Sequence, residues 1–394
     1  MKYNFDQKIN RYDTDSLKWD KTKRLFGDEN ILPMWVADMD FTSPPPVIDA
    51  LKRRVDHGAF GYTVRSNSYF EAFINWMERR HNWTINKRWI RCTPGIMPAI
   101  SLAIQKFTEP EDKILIQTPV YHPYPHIVKN NRRETVNSSL IMKNGKYEMD
   151  YEDLERKIDS GVKMLLLCNP HNPVGRVWTR EELVKLGEIC MRYNVLVLSD
   201  EAHCDLVYKG HTHIPFASIS NEFSENSITC TAPSKPFNIA GLQISNVVIS
   251  NAPLREAFTE AVDALHLGSS NTLSLTAAES AYRFGDEWLD ALIEYVEGNL
   301  DYLIKFIETK LSKIKVIKPE GTYLAWLDCR ELEMNAGALE KFFQKEAKVA
   351  FDEGYKFGLG GEGFTRVNMA CPRALLEEGL NRIEKAVNQN VIKN

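Results

Sequence analysis

The sequence predicts an α/β protein in two parts: a large domain whose mostly parallel sheet lies between helices, and a smaller α+β domain. Three observations carry this. Five short runs, KILIQ (113–117), KMLLLC (163–168), VLVLS (195–199), SITC (227–230) and SNVVIS (245–250), are almost wholly apolar, as expected of strands buried on both faces of a parallel sheet. Amphipathic helical runs separate them, most clearly TREELVKLGEICMRYN, where Thr179 and Glu182 form a capping box and Leu183, Leu186, Ile189 and Cys190 form one stripe. After about residue 285 the alternation gives way to a long charged helix (about 287–312) and mixed elements including TYLAWLDC and FTRVNMAC.

The expected order is therefore an N-terminal segment (1–48) with too little apolar content for its own core, a large domain (49–286) and a small domain (287–394). The first segment is expected to pack on the small domain or on a partner subunit. Composition agrees with a globular chain: 394 residues, 43% hydrophobic, 26% charged. A net charge of −4 gives no basic footprint for nucleic acid or anionic membrane. The first twenty residues are polar and mixed in charge, so they are not expected to be a signal peptide, and the expected location is the cytoplasm. Seven scattered cysteines without a CxxC spacing read as reduced core thiols rather than a disulfide or metal framework.

Ligands of α/β domains bind beyond the C-terminal ends of the strands. Polar stretches fall there: NPHNPVGR with Asn169 and Asn172, DEAH with Asp200 and His203, and TAPSK with Thr231, Ser234 and Lys235. A turn, TPGIM, opens an apolar helix near Met97, whose free N–H groups suit a phosphate. Each stretch alone fits loop and cap chemistry. Together they offer a phosphate site, a carboxylate and an amine, a matched set for a phosphorylated pyridine aldehyde. Lys235 is the oddity, because an ammonium is costly to bury without a partner.

Two motifs mislead. GLGGEG (358–363) satisfies GxGxxG through Gly358, Gly360 and Gly363, yet a strand pattern follows where a dinucleotide site needs a helix. HPYPH spaces His122 and His126 like half a zinc site, but its two prolines argue against a helix there, and no acidic third ligand is near.

Over essentially its whole length the chain resembles pyridoxal-5′-phosphate (PLP) enzymes of fold type I, the aspartate aminotransferase superfamily. It looks most like the branch of carbon–sulfur lyases that includes cystalysin and cystathionine β-lyases. The residues that carry this are NFDQKINRYDTDSLKWD, LPMWVADMDF, SDEAHCDLVY, APSKPFNIAGLQ and FTRVNMACPR. The resemblance implies a seven-stranded sheet in the large domain, PLP as cofactor, and a homodimer with shared active sites. It makes Lys235 the imine-forming catalytic lysine, Asp200 the partner of the ring nitrogen, and Asn172 that of the ring hydroxyl. Tyr121 would stack on the ring. Gly95, Ile96 and Met97 would bind the phosphate, with Thr231 and Ser234 assisting. Tyr62 would reach the neighbouring subunit's phosphate. Arg366 would clamp the substrate carboxylate, with further substrate contacts at position 37 (Ala37, beside Val36) and Tyr124. The sequence departs from wider transaminases at His203, where a tyrosine is usual, and at Gln243, where an arginine usually meets the phosphate.

The activity so implied is β-elimination on L-cystathionine or L-cysteine-type substrates, giving pyruvate, ammonia and a thiol. An aminotransferase is the alternative within enzymes, and a PLP-binding modulator of a transcription regulator is the alternative of another class.

Overall fold

The computed structural model describes residues 3–391. Seven strands form the main sheet: β1 (Ile90–Thr93), β2 (Lys113–Ile116), β3 (Glu134–Asn137), β4 (Val162–Cys168), β5 (Leu196–Asp200), β6 (Ser227–Thr231) and β7 (Ser245–Val248). Their spatial order is β1-β7-β6-β5-β4-β2-β3, and only β7 runs antiparallel to its neighbours. The seven-stranded, mostly parallel sheet expected from the sequence is present.

The near-continuous apolar runs serve two cores at once. In β4, Met164, Leu166 and Cys168 face a core shared with Ile100 and Ile104 of helix α1 (Ile96–Phe107), while Leu165 and Leu167 face one shared with Leu183 and Leu186 of helix α3 (Arg180–Arg192). Successive side chains of a strand point to opposite faces, so a strand covered on both sides has no polar face to show. Thr179 caps α3 in the expected capping box.

Two strands have no such signature in the sequence. Edge strand β3 is polar and partly exposed on one side of the sheet, and β1 is four residues long with Arg91 in it. The HPYPH segment also departs from expectation, for it opens helix α2 (Pro123–Asn130) with His122 as N-cap. Both prolines fall in the first turn, where the missing N–H groups would have no helical acceptor anyway. His122 lines a cavity and His126 is exposed, so the pair does not converge. Among the described residues the one group of three metal-capable side chains is His81, Cys204 and Asp205. There the Asp205 carboxylate already accepts from His81 (2.7 Å) and Trp76 (2.9 Å).

The long helix α4 (Asp286–Lys310) leads into a four-stranded antiparallel sheet of β8 (Lys315–Ile317), β9 (Leu324–Asp328), β10 (Asp352–Glu353) and β11 (Phe364–Asn368), ordered β8-β9-β11-β10. GLGGEG is a glycine turn ahead of β11, with φ of 92°, 82° and 80° at Gly358, Gly360 and Gly363. No helix follows it, so it is not a dinucleotide loop.

The N-terminal segment is tied to both parts. Leu32–Pro33 pairs with Val349–Ala350, Phe5 packs edge-on against Trp288 at 5.6 Å, and Asn368 Nδ2 donates to the carbonyls of Val36 (2.6 Å) and Asp38 (2.5 Å). Asn238, three residues beyond Lys235, donates to the carbonyls of Met39 (3.0 Å) and Phe41 (2.8 Å). The stretch Trp35–Asp38 is thus pinned between β11 and the lysine loop. All seven cysteines are buried and unpaired. No helix among the described residues is long and apolar enough to cross a membrane.

Candidate active site

A cavity of 340 Å³ opens beyond the C-terminal ends of β4, β5 and β6, roofed by Trp35–Ala37 and by Asp352 and Arg366 of the small sheet. Position follows from topology. β4, β5 and β6 run parallel and adjacent, so the residues just past their ends, Asn172, Asp200 and Ser234–Lys235, meet there although they are far apart in sequence.

Lys235 Nζ donates to the carbonyl of Ala37 at 2.7 Å. Burial, and next the nearby Arg366 charge, bring its pKa down from 10.5 to about 8, against the opposing pull of Asp38 and Asp200. An appreciable fraction of this amine is therefore neutral near physiological pH. Asp200 is buried at the end of β5. Its carboxylate accepts from Tyr124 Oη at 2.8 Å and from the Ala202 N–H at 3.1 Å. Burial nevertheless lifts its pKa from 3.8 to about 6, because those neutral donors and Lys235 only partly offset the lost hydration.

Arg366, in β11, donates through Nη1 to Asn172 Oδ1 (2.9 Å) and through Nη2 to Asp352 Oδ2 (2.7 Å) and the Trp35 carbonyl (3.0 Å). Its guanidinium lies 4.9 Å from the centre of the Phe357 ring. Asp352 is set by register, standing directly opposite Arg366 in the β10–β11 pair.

Of the residues singled out in the sequence, Ile96, Met97, Tyr121, Asn172, Asp200, His203, Ser234, Lys235 and Arg366 line the cavity. Gly95 is the N-cap of α1 at φ 115°, with no side-chain cap on the helix. Thr231 is buried at the end of β6 and its hydroxyl has no partner. Position 37 presents its backbone rather than a side chain, since the Ala37 carbonyl takes both Lys235 and Tyr323 Oη (2.8 Å). Tyr124 is a correction. It sits behind Asp200, fully buried and off the cavity lining, because its place in α2 turns the ring inward to the sheet.

Tyr62 is fully exposed and does not line this chain's cavity. Gln243 is also exposed and away from the lining. His203 is buried with Nδ1 unpartnered, its ring 6.0 Å edge-on from Tyr323. Burial, then the charges of Lys235 and Arg366, hold its pKa well below 6.5, so the imidazole is neutral. The sequence reading missed Asp352, Tyr323 and the two backbone carbonyls. Only a register assignment for β10 against β11 would have found the first.

The donor set fits a phosphorylated pyridine aldehyde. Asp200 offers a buried carboxylate held by neutral donors plus one distant amine, an incomplete charge balance that a ring N–H⁺ would complete. The uncapped start of α1 offers free N–H groups, the Thr231 hydroxyl lacks a partner, and Lys235 offers the amine.

Comparison with known proteins agrees. Residues 30–383 match the family described as aminotransferase class I and II. The chain belongs to that family. It is 47% identical over 385 residues to the cystathionine beta-lyase PatB of Bacillus subtilis, covering 98% of this chain and 100% of that one. Among solved structures of family members, cystalysin from Treponema denticola, which contains a pyridoxal 5′-phosphate cofactor, superimposes with a TM-score of 0.96 at 40% identity, covering 99% of this chain and 100% of its own. A PLP-bound C–S lyase from Staphylococcus hominis gives 0.92 at 37%, covering 98% of each chain.

Proposed function

We propose that the chain is a PLP-dependent carbon–sulfur lyase that carries out β-elimination on L-cystathionine or L-cysteine-type substrates, releasing pyruvate, ammonia and a thiol. The observation that carries this is a lysine amine, Lys235, that shares one cavity with the buried Asp200 carboxylate and with Arg366. When bound, PLP supplies an electron sink for the negative charge left at the substrate Cα.

The chain's residues do the rest. Lys235 Nζ takes the Cα proton, and its value of about 8 suits a general base near neutral pH. Asp200 would hold a proton on the ring nitrogen, while Tyr124 Oη donates to that carboxylate and orients it. Arg366 and Asn172 would receive the substrate carboxylate, with Asn172 also placed to meet the ring hydroxyl. N–H groups at the start of α1 would hold the phosphate together with Gly95, Thr231 and Ser234, and Tyr121 would cover the ring. His203, neutral and buried, lines the wall without adding charge.

The same reading makes the protein a cytoplasmic homodimer in which Tyr62, exposed in one chain, reaches the partner's phosphate. It also divides the chain at about residues 48 and 286. Family membership supports one second reading, an aminotransferase, because both reactions begin with proton removal at Cα. Product analysis separates them. The purified PLP-loaded protein given L-cystathionine and no keto acid is expected to yield pyruvate, ammonia and homocysteine over many turnovers. Turnover that halts after one equivalent and resumes only on adding a keto acid overturns the lyase reading.

A further inference from the structure

An arginine binds a carboxylate best through two parallel N–H···O bonds, and a guanidinium has two faces that allow this, Nη1 with Nη2 and Nε with Nη2. Nη2 belongs to both. In this protein both of its hydrogens are taken, one by the Trp35 carbonyl and one by the Asp352 carboxylate. Nη1 already serves Asn172, and Nε has no partner. Neither face is free for a second carboxylate while Asp352 stays bound.

We infer that Asp352 is an internal latch, a built-in carboxylate that occupies Arg366 in the resting enzyme and must be exchanged for the substrate's. Asp352 lines the same cavity as Lys235, so its carboxylate stands where an incoming one would go. It is not what holds the arginine in place. The Phe357 ring, Asn172, the Trp35 carbonyl and the pairing of β11 between β9 and β10 all fix Arg366 independently. Exchange of one carboxylate for another keeps the buried guanidinium neutralised throughout, while the released Asp352 carboxylate, itself buried, gives up its partner at a cost. It also weakens ligands whose carboxylate is their main contact, and so favours substrates with additional groups to bind.

The inference rests on the reading of Arg366 as the substrate-carboxylate site, and the test separates the two. In PLP-loaded protein, the dissociation constants of L-alanine and of L-alaninamide, which lacks the carboxylate, are measured from the absorbance of the bound cofactor. Thermal stabilisation by each ligand gives a second readout. Asp352→Ala is expected to bind L-alanine roughly tenfold tighter than wild type, the scale of one charge-assisted hydrogen bond. L-Alaninamide should be unchanged. Asp352→Asn, which is isosteric and keeps an acceptor for Nη2, should fall between, and covers the case in which the alanine variant folds poorly. L-Alanine binding that is unchanged or weaker in both variants overturns the latch and makes Asp352 a support for the arginine. Arg366→Ala should bind the two ligands alike. If it still prefers L-alanine, the carboxylate site lies elsewhere, and both the Arg366 assignment and the latch fall.

Discussion

Asp200→Asn is expected to inactivate the enzyme and, in the cofactor-free protein, to stabilise the fold. Burial lifts the Asp200 carboxyl from 3.8 to about 6. At about 1.4 kcal/mol per pH unit, keeping it ionised in the folded protein costs roughly 3 kcal/mol once the pH exceeds both values. The sign follows from the direction of the shift. A carboxyl whose folded pKa is raised favours folding below 3.8, and that advantage is lost as pH climbs through about 6. Asparagine never ionises, and its amide can satisfy the same neighbours, accepting from the Ala202 N–H and donating to the Tyr124 oxygen that now donate to the carboxylate.

Denaturant unfolding of cofactor-free protein should therefore show Asp200→Asn more stable by roughly 2–3 kcal/mol at pH 8, with the gap falling to about half at pH 5. Saturating PLP should reverse the order, because only the carboxylate pairs with a ring N–H⁺ and ligand affinity adds to the stability of the native state. A cofactor-free variant less stable than wild type at pH 8, or a gap that does not change between pH 5 and pH 8, would refute the assignment of a raised Asp200 carboxyl.

Three further outcomes test the site. Lys235→Ala should be unable to fix PLP covalently on borohydride reduction, and mass measurement of the reduced protein checks this. Tyr124→Phe removes a hydrogen bond that lowers the Asp200 pKa. It should leave KM for cystathionine nearly unchanged but weaken PLP affinity about tenfold, as expected from one charge-assisted bond, read by fluorescence titration of the cofactor-free protein. Mixed Tyr62→Phe and Lys235→Ala subunits should recover activity in hybrid dimers, because one of the two shared sites then carries neither change. Complete absence of recovery would remove the cross-subunit role of Tyr62.

Much of this protein was written in its sequence. Continuous apolar runs marked β2, β4, β5, β6 and β7, because a strand covered on both faces leaves no polar positions. The loops carrying Asn172, Asp200 and Lys235 could be read for a similar reason: polar residues follow directly on buried strands, and strand ends are where parallel sheets open to ligands. Strands β1 and β3 were not legible, being short or lying at the edge where solvent tolerates polar side chains. Helix α2 was hidden by prolines that are harmless in a first turn. What only tertiary structure decided is how groups distant in sequence face one another. The hold of Asp352 on Arg366 depends on strand register, and the approach of Tyr124 to the Asp200 carboxylate depends on how α2 turns. The parts played by the Trp35 and Ala37 carbonyls have no sequence signature at all, since every residue carries the same carbonyl and only the folded chain determines where it points.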